Sequence, residues 1–292
     1  MHRFLVLSLL AAEVCFFVSP LSVSRAEEPF LQFVDDLRGE GNKRDPFEER
    51  IETERHDFTQ STKTVGRGVL QIESGYSYFY KDDAEEIENA HTTPEMLVRV
   101  GLSDDIEFRI RYNYVWEFND EAADHSGSED LRWGLKFRAT DQERWVPESA
   151  FELRFTAPTG GDEFSTEQVE FGFDYIYGWR FNERTELYGS TGFATSGLGE
   201  FGILPDDPVG DRFMLYTQSV ALGYELNEFM AMYSEFFGLF TSGHVDDPNP
   251  VFFNIGVDLY LTDNWLVDFR VGKGLNDDAD DLFAGVGGAV RF

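Results

Sequence analysis

Ile106-Glu-Phe-Arg-Ile-Arg-Tyr-Asn-Tyr-Val-Trp-Glu-Phe118 alternates from end to end. Ile106, Phe108, Ile110, Tyr112, Tyr114, Trp116 and Phe118 hold the even positions. Glu107, Arg109, Arg111, Asn113, Val115 and Glu117 hold the odd ones. Side chains alternate faces along a strand, so one face is wholly apolar and the other charged, polar or small. A stave standing between lipid and water needs that division. Segments of roughly ten residues with the same alternation recur from Gly68 to Phe292, the length at which a tilted strand crosses a bilayer.

Working outward, the alternation predicts strands over 68–80, 95–102, 106–118, 129–139, 149–157, 167–181, 185–195, 212–226, 229–240, 251–261, 265–275 and 282–292. Two are weak: 185–195 lacks a strong apolar face, and 229–240 is apolar on both faces around Glu235. Short connections fall at Ser103-Asp-Asp105, Asn182-Glu-Arg184, Asn227-Glu228 and Thr262-Asp-Asn264, with 140–148 the longest on that side. Between them come the longer 81–94, 119–128, 158–166, 196–211, 241–250 and 276–281. This regular exchange of short and long predicts an all-β chain, a closed transmembrane antiparallel β-barrel of about twelve strands, with short periplasmic turns and longer external loops. An even strand number would put both chain ends in the periplasm. A soluble β-sandwich has shorter strands and no reason to alternate its loop lengths. Aromatic side chains gather near strand ends, as membrane interfaces favour. Tyr76, Tyr78, Tyr80, Trp116 and Phe118 fall at the outer side, and Trp179, Phe181, Tyr224, Trp265 and Phe292 at the inner.

Three parts are expected along the chain: a signal peptide over 1–26, a charged N-terminal periplasmic segment over 27–66, and the barrel over 67–292. His2 and Arg3, the mostly apolar Phe4–Val18 and the small-x-small Ser24-Arg25-Ala26 make the signal pattern. The only cysteine, Cys15, lies within it, so the exported chain would have no disulfide or thiolate site. In 27–66, Phe30, Phe33, Val34 and Leu37 share a helical face, while Gly39-Glu-Gly-Asn-Lys-Arg-Asp-Pro46 reads as flexible. A tail is the reading adopted for the segment; a plug for the barrel mouth is the alternative. Against 55 Asp and Glu the chain has 24 Lys and Arg, a formal charge of −31 that excludes the basic footprint of a nucleic-acid binder.

By strand parity, Arg99, Arg109, Arg111, Arg132, Lys136, Arg138 and Arg154 face the lumen from four successive strands. Glu170, Asp174, Glu225, Asp258 and Asp268 face it from the opposite wall. Opposed rows set a transverse field that would bind and orient charged solutes in a wet constriction. The other reading is a salt-bridge network that fills the interior, with Glu107 and Glu152 neutralising neighbours. Both stay open. Inward glycines, among them Gly75, Gly134, Gly256, Gly272 and Gly287, leave space along the wall. Few large apolar residues are expected to face the lumen. The acidic external loops, including Asp82–Glu86, Asp206-Asp207, Asp246-Asp247 and Asp277–Asp281, lack the spaced ligands of an EF-hand and read as solvated surface; no metal site or cofactor is expected.

Several pieces resemble the outer-membrane proteins grouped as "Putative MetA-pathway of phenol degradation", often labelled transporters. Glu54-Arg-His-Asp-Phe58-Thr-Gln-Ser61 is similar to that family's Asp-Arg-Pro-Asp-Phe-Thr segment, with His56 standing where proline is usual. Gly68-Val-Leu-Gln-Ile-Glu73-Ser-Gly75-Tyr76 resembles its first strand, and Ala157-Pro-Thr-Gly160 its Leu-Pro-Thr-Gly corner. The last strand, ending in Phe292, is similar to the signal read by the barrel-assembly machinery, with Gly288 a departure. The resemblance spans roughly 54–292. It implies a barrel among outer-membrane lipids and passage of small molecules, and assigns no catalytic residue. Phenols are not adopted as substrate, because the lumen reads as polar.

An outer-membrane phospholipase would need histidine and serine together on a strand near the lipid face. His56, His91, His125 and His244 all read as tail or loop, and His125-Ser126 are adjacent on a loop, so no enzyme is expected. The sequence therefore points to passive passage of small solutes through a narrow charged lumen. The alternative is a non-conducting structural or adhesion barrel whose acidic loops bind cations or partners.

Overall fold

The computed structural model describes residues 45–55, 58–82, 87–119, 124–161, 164–195, 213–244 and 247–292. The signal peptide with Cys15, the helical face over 30–37, His56, and the loop acids at 83–86, 206–207 and 246 lie outside the described residues.

The strands are β1 (Leu70–Asp82), β2 (Ile87–Gly101), β3 (Ile106–Asn119), β4 (His125–Ser128), β5 (Leu131–Thr140), β6 (Glu148–Ala157), β7 (Phe171–Asn182), β8 (Thr185–Thr195), β9 (Met214–Asn227), β10 (Met230–Ser242), β11 (Val251–Thr262), β12 (Trp265–Gly274) and β13 (Leu282–Arg291). Every pairing is antiparallel, and β13 pairs with β1 to close the sheet. Short β4 lies beside the far end of β3 and continues the line of β5, with the Glu129 N–H bonding Asn113 O at 3.1 Å across the break. The ring therefore has twelve staves, one of them in two pieces. Closure leaves no unpaired edge for lipid to meet, the condition for a sheet to span a membrane.

Burial alternates along the staves as the pleat requires. Tyr112, Phe151, Phe193, Val220, Phe236, Ile255 and Val271 form part of an outward apolar band, while Glu73, Glu95, Glu107, Arg109 and Lys136 are buried inside. Phe181, Tyr224, Trp265 and Phe292 lie exposed at the short-turn end. Trp179 joins them, donating its indole N–H to Trp145 O at 2.9 Å.

One expected loop is mostly strand. The 81–94 stretch shrinks to a connection over 83–86, because β2 begins at Ile87. Its polar letters and Pro94 hide the strand from the alternation. The ladder passes Pro94 through a register irregularity between Thr92 and Glu95, as a residue without an N–H demands. His91 is consequently on β2, bonded through Nδ1 to the Tyr76 hydroxyl at 2.7 Å, and His125 is on β4 rather than in a loop.

Residues 45–66 correct the tail reading. Residues 45–55 run into the barrel from the short-turn end, and 58–66 run back towards it. Arg291 donates to Pro46 O at 3.1 Å and to Glu49 O at 2.7 Å, and the Ile51 N–H bonds Asp263 O at 2.8 Å. Farther in, the Phe58 ring stacks on Phe237 of β10 at 4.5 Å. On the way out, Thr62 donates to Glu148 at 2.7 Å and Thr64 to Asp104 O at 2.6 Å. Gly66 then passes so close to Gly101 that no Cβ would fit there. The physical reason lies in the charges. Carboxylates at inward positions of the wall need partners, and this segment brings them.

The lumen also has an apolar side, contrary to the expectation of few large apolar residues there. Phe79, Leu215, Phe237, Leu239, Phe252 and Phe283 are buried in one cluster, with Phe58 packed against it. This is why 229–240 reads as apolar on both faces: the outer face of β10 meets lipid and the inner face meets Phe58 and its neighbours.

Candidate functional site

A chain folded back into a barrel must find partners for its backbone N–H groups, since orphaned buried donors are costly. Among the described residues, those from Glu52 to Val65 make no backbone-to-backbone hydrogen bond with the wall. Wall carboxylates serve instead. Glu73 of β1 accepts the N–H groups of Glu54 and Arg55, each at 2.8 Å. Glu107 of β3 accepts from Val65 at 2.8 Å, and Glu235 of β10 from Thr59 at 2.5 Å and Phe58 at 3.3 Å.

Side-chain charges complete the hold. The Glu54 carboxylate meets Arg109 and Lys136, each at 2.6 Å, and Arg99 at 3.3 Å. Burial would raise its pKa, but Arg99, Lys136 and Arg109 outweigh burial and hold the carboxyl far below the usual range. A depressed carboxylate pKa adds stability above the unfolded value, lost only as pH falls through the folded one. This anchor is thus fully ionised at neutral pH. Next to it, Arg55 donates to Glu95 of β2 at 2.7 Å and to Asp268 of β12, with its side chain wholly buried. Nearer the short-turn end, Lys63 pairs with Glu52 and Glu49, and Arg50 with Glu225 at 2.8 Å.

The sequence-predicted lumen residues divide by what they touch. Arg99, Arg109 and Lys136 converge on Glu54, and Asp268 on Arg55. Arg109 also reaches Glu152 at 2.6 Å, and Arg99 reaches Glu107 at 2.7 Å. Arg154 and Asp174 pair across neighbouring strands at 2.7 Å, and Glu170 accepts from Thr195 at 2.6 Å. Arg111 donates to Glu54 O at 3.3 Å; with Arg132 it lines a cavity of about 40 Å³ beside Phe58 and Gln60. Asp258 and Glu225 border a larger cavity, about 280 Å³, at the short-turn end. Arg138 sits at that rim, bonded to Asp105 and Asp141. The rows thus do not face each other across empty space. The inner loop stands between Arg109 with Lys136 and Asp268, while Arg154 and Asp174 meet directly on adjacent strands.

Glu73, Glu95 and Glu235 were not singled out as site residues. The available signal, an inward acid with no inward base beside it on the wall, fits Glu235, whose cross-strand neighbours are Ala221 and Asn254. Glu73 has Arg99 at 3.3 Å and Glu95 has Arg270 at 3.7 Å on the wall, so there the loop adds a partner to one already present. The Ala157–Gly160 corner also acquires a role: Asp130 accepts the N–H groups of Thr159 and Gly160, each at 2.9 Å. Among the described residues, no three His, Cys, Asp or Glu side chains gather in a metal-binding group.

A closed twelve-stave antiparallel barrel with an apolar girdle and a charged interior is an outer-membrane β-barrel. Within that class, the chain belongs to the family described as "Putative MetA-pathway of phenol degradation", which matches residues 53–292 and so takes in most of the inner loop. Among solved structures, an outer membrane channel from Pseudomonas putida F1 is similar at a TM-score of 0.64 and 12% identity, over 82% of this chain and 100% of that one. The NanC porin follows at 0.48 and 8%, over 76% and 100%. The translocator domain of the autotransporter NalP from Neisseria meningitidis stands at 0.48 and 10%, over 78% and 89%. No curated protein sequence matches the chain.

Proposed function

We propose that the protein is an outer-membrane channel for small polar solutes whose lumen is closed, in the described state, by the loop 45–66. The observation that carries this is how the loop is held. Ion pairs and side-chain-to-backbone bonds fix it, with no strand pairing among the described residues of 52–65, so it can leave without unpicking the ladder that closes the barrel. Cavities beside the loop apex and at the short-turn end provide the beginnings of a path. Along that path, Arg111, Arg132 and Asp174 beside the loop apex and Asp258 at the short-turn end would bind and orient charged solutes. The channel-like neighbour from Pseudomonas putida F1 supports the same reading through its fold. Purified protein in planar bilayers is expected to show brief conductance steps that lengthen when the loop is unanchored. No steps from either wild type or unanchored protein would reject it.

The reading includes removal of residues 1–26 on export, barrel assembly through the strand ending at Phe292, and both chain ends in the periplasm. The short-turn end then faces the periplasm and the 275–281 loop the outside. Cysteine placed at exposed Asp277 is expected to react with an impermeant maleimide on intact cells, and cysteine at exposed Glu183 is not. Equal or reversed labelling would overturn the orientation. No catalytic role is proposed. His91 and Ser126 lie in one cross-strand row with Trp116 between them, roughly 10 Å apart by strand spacing, too far for a base and nucleophile.

A further inference from the structure

The Arg55 guanidinium sits in a niche that belongs to the barrel wall, not to the loop. Register places Glu95, Gly75, Gly287 and Asp268 in one row across β2, β1, β13 and β12. The row reads carboxylate, glycine, glycine, carboxylate, and its ends lie about 14 Å apart along the wall by strand spacing. The two glycines supply the room. A Cβ on Gly75 would stand 2.5 Å from Arg55 Cζ, and one on Gly287 would stand 2.6 Å from the same atom. The guanidinium therefore fills the volume of two missing side chains. From there Nη1 reaches Glu95 and Nη2 reaches Asp268, two donors pointing apart from one planar group. Ser77 bonds the engaged Glu95 oxygen at 2.7 Å and fixes that carboxylate in place.

Arg55 does not exhaust the niche. Its Nε–H is buried with no acceptor, and Asp268 Oδ2 is buried with no donor. The second Glu95 oxygen has only Arg270, at 3.7 Å. A tethered side chain enters from one direction and cannot turn to satisfy all of these. A free guanidinium has donors around its whole plane and can.

We propose that this niche is a guanidinium-binding site of the barrel, that Arg55 occupies it as an internal stand-in for a solute, and that solutes bearing a guanidinium group displace Arg55 and release the loop. An ammonium group fits poorly, because a single nitrogen cannot bridge two carboxylates held apart by two glycine-bearing strands. That release opens a path rests on the channel reading; binding in the niche does not.

The experiment uses the full-length exported chain and two probes of equal charge, methylguanidinium and methylammonium, and reads no conductance. In Arg55→Gly protein, calorimetry is expected to find one site for methylguanidinium, no site for methylammonium, and no site for either when Asp268→Asn is added. In protein with native Arg55 and a single cysteine at Gln60, about 50 mM methylguanidinium exceeds the millimolar effective concentration of a tethered group and should raise maleimide labelling roughly threefold or more. Methylammonium should not. Equal effects of the two cations, or binding that survives Asp268→Asn, would overturn the proposal. So would unchanged labelling in the native-Arg55 protein, which keeps the test decisive where Arg55→Gly fails to assemble.

Discussion

Replacing Arg55 with leucine is expected to release the inner loop and leave the barrel closed as a sheet. The substitution strips buried Asp268 of its ion pair and leaves buried Glu95 with Ser77 and Arg270 at 3.7 Å, and leucine offers nothing in return. Removing one partner of a buried ion pair costs about 3–5 kcal/mol, because the remaining charge is uncompensated. Water can refill a barrel interior, so the strain resolves by expelling the loop and hydrating the carboxylates. A shift of that size moves the balance between docked and released loop by about two to four orders of magnitude at 1.4 kcal/mol per tenfold. Open probability in planar bilayers should rise accordingly, and a cysteine at Gln60 should become reactive. Heat-dependent gel mobility should stay, since the ladder from β1 to β13 owes nothing to Arg55. A loop still protected in the leucine variant would show that Glu54 and the backbone bonds from Glu73, Glu107 and Glu235 suffice to hold it.

Why the barrel was legible and its contents were not comes down to what alternation encodes. Lipid on one side imposes a period of two on every stave, so β3, β6, β8 and β12 stand within a residue of their expected bounds. The same pattern gives each residue a face without saying what occupies the lumen. Arg99, Arg109 and Asp268 are buried, and alongside their wall neighbours each binds Glu54 or Arg55, in a segment with no periodicity at all. Glu54-Arg55 carries the two charges that organise the interior, in a stretch that reads as loop by every local criterion. Gly75 and Gly287 were read as open space, whereas cross-strand register makes them the floor of an occupied niche. Register between β1 and β13 is a contact across the whole chain, and alternation within a strand cannot supply it. β2 was cut short for a local reason: Pro94 and the acids before it resemble loop, and only pairing on both sides carries the strand past them.

The basic staves now divide into residues that hold the loop and residues that face the cavity beside it. Arg109 lies between Glu54 and Glu152, so Arg109→Ala is expected to act as a loop mutation, lowering thermal stability and raising open probability. Arg111 and Arg132 border the cavity beside Phe58 and Gln60, where a solute would pass after the loop withdraws. The double variant Arg111→Ala, Arg132→Ala should assemble normally, since lumen positions tune selectivity while lipid-facing ones hold a barrel in its membrane. It removes two positive charges from the cavity and leaves Asp174 lining the same cavity two strands from Arg132, so the selectivity of the open channel should move towards cations. The shift is best read against a background of Arg55→Leu, where openings are frequent, from reversal potentials in a tenfold salt gradient. Raising the salt on both sides should shrink it, because a screened wall no longer sorts ions. If the double variant keeps the parent's reversal potential, the path runs elsewhere, and the apolar side of the lumen around Phe237 and Phe252 becomes the route to test.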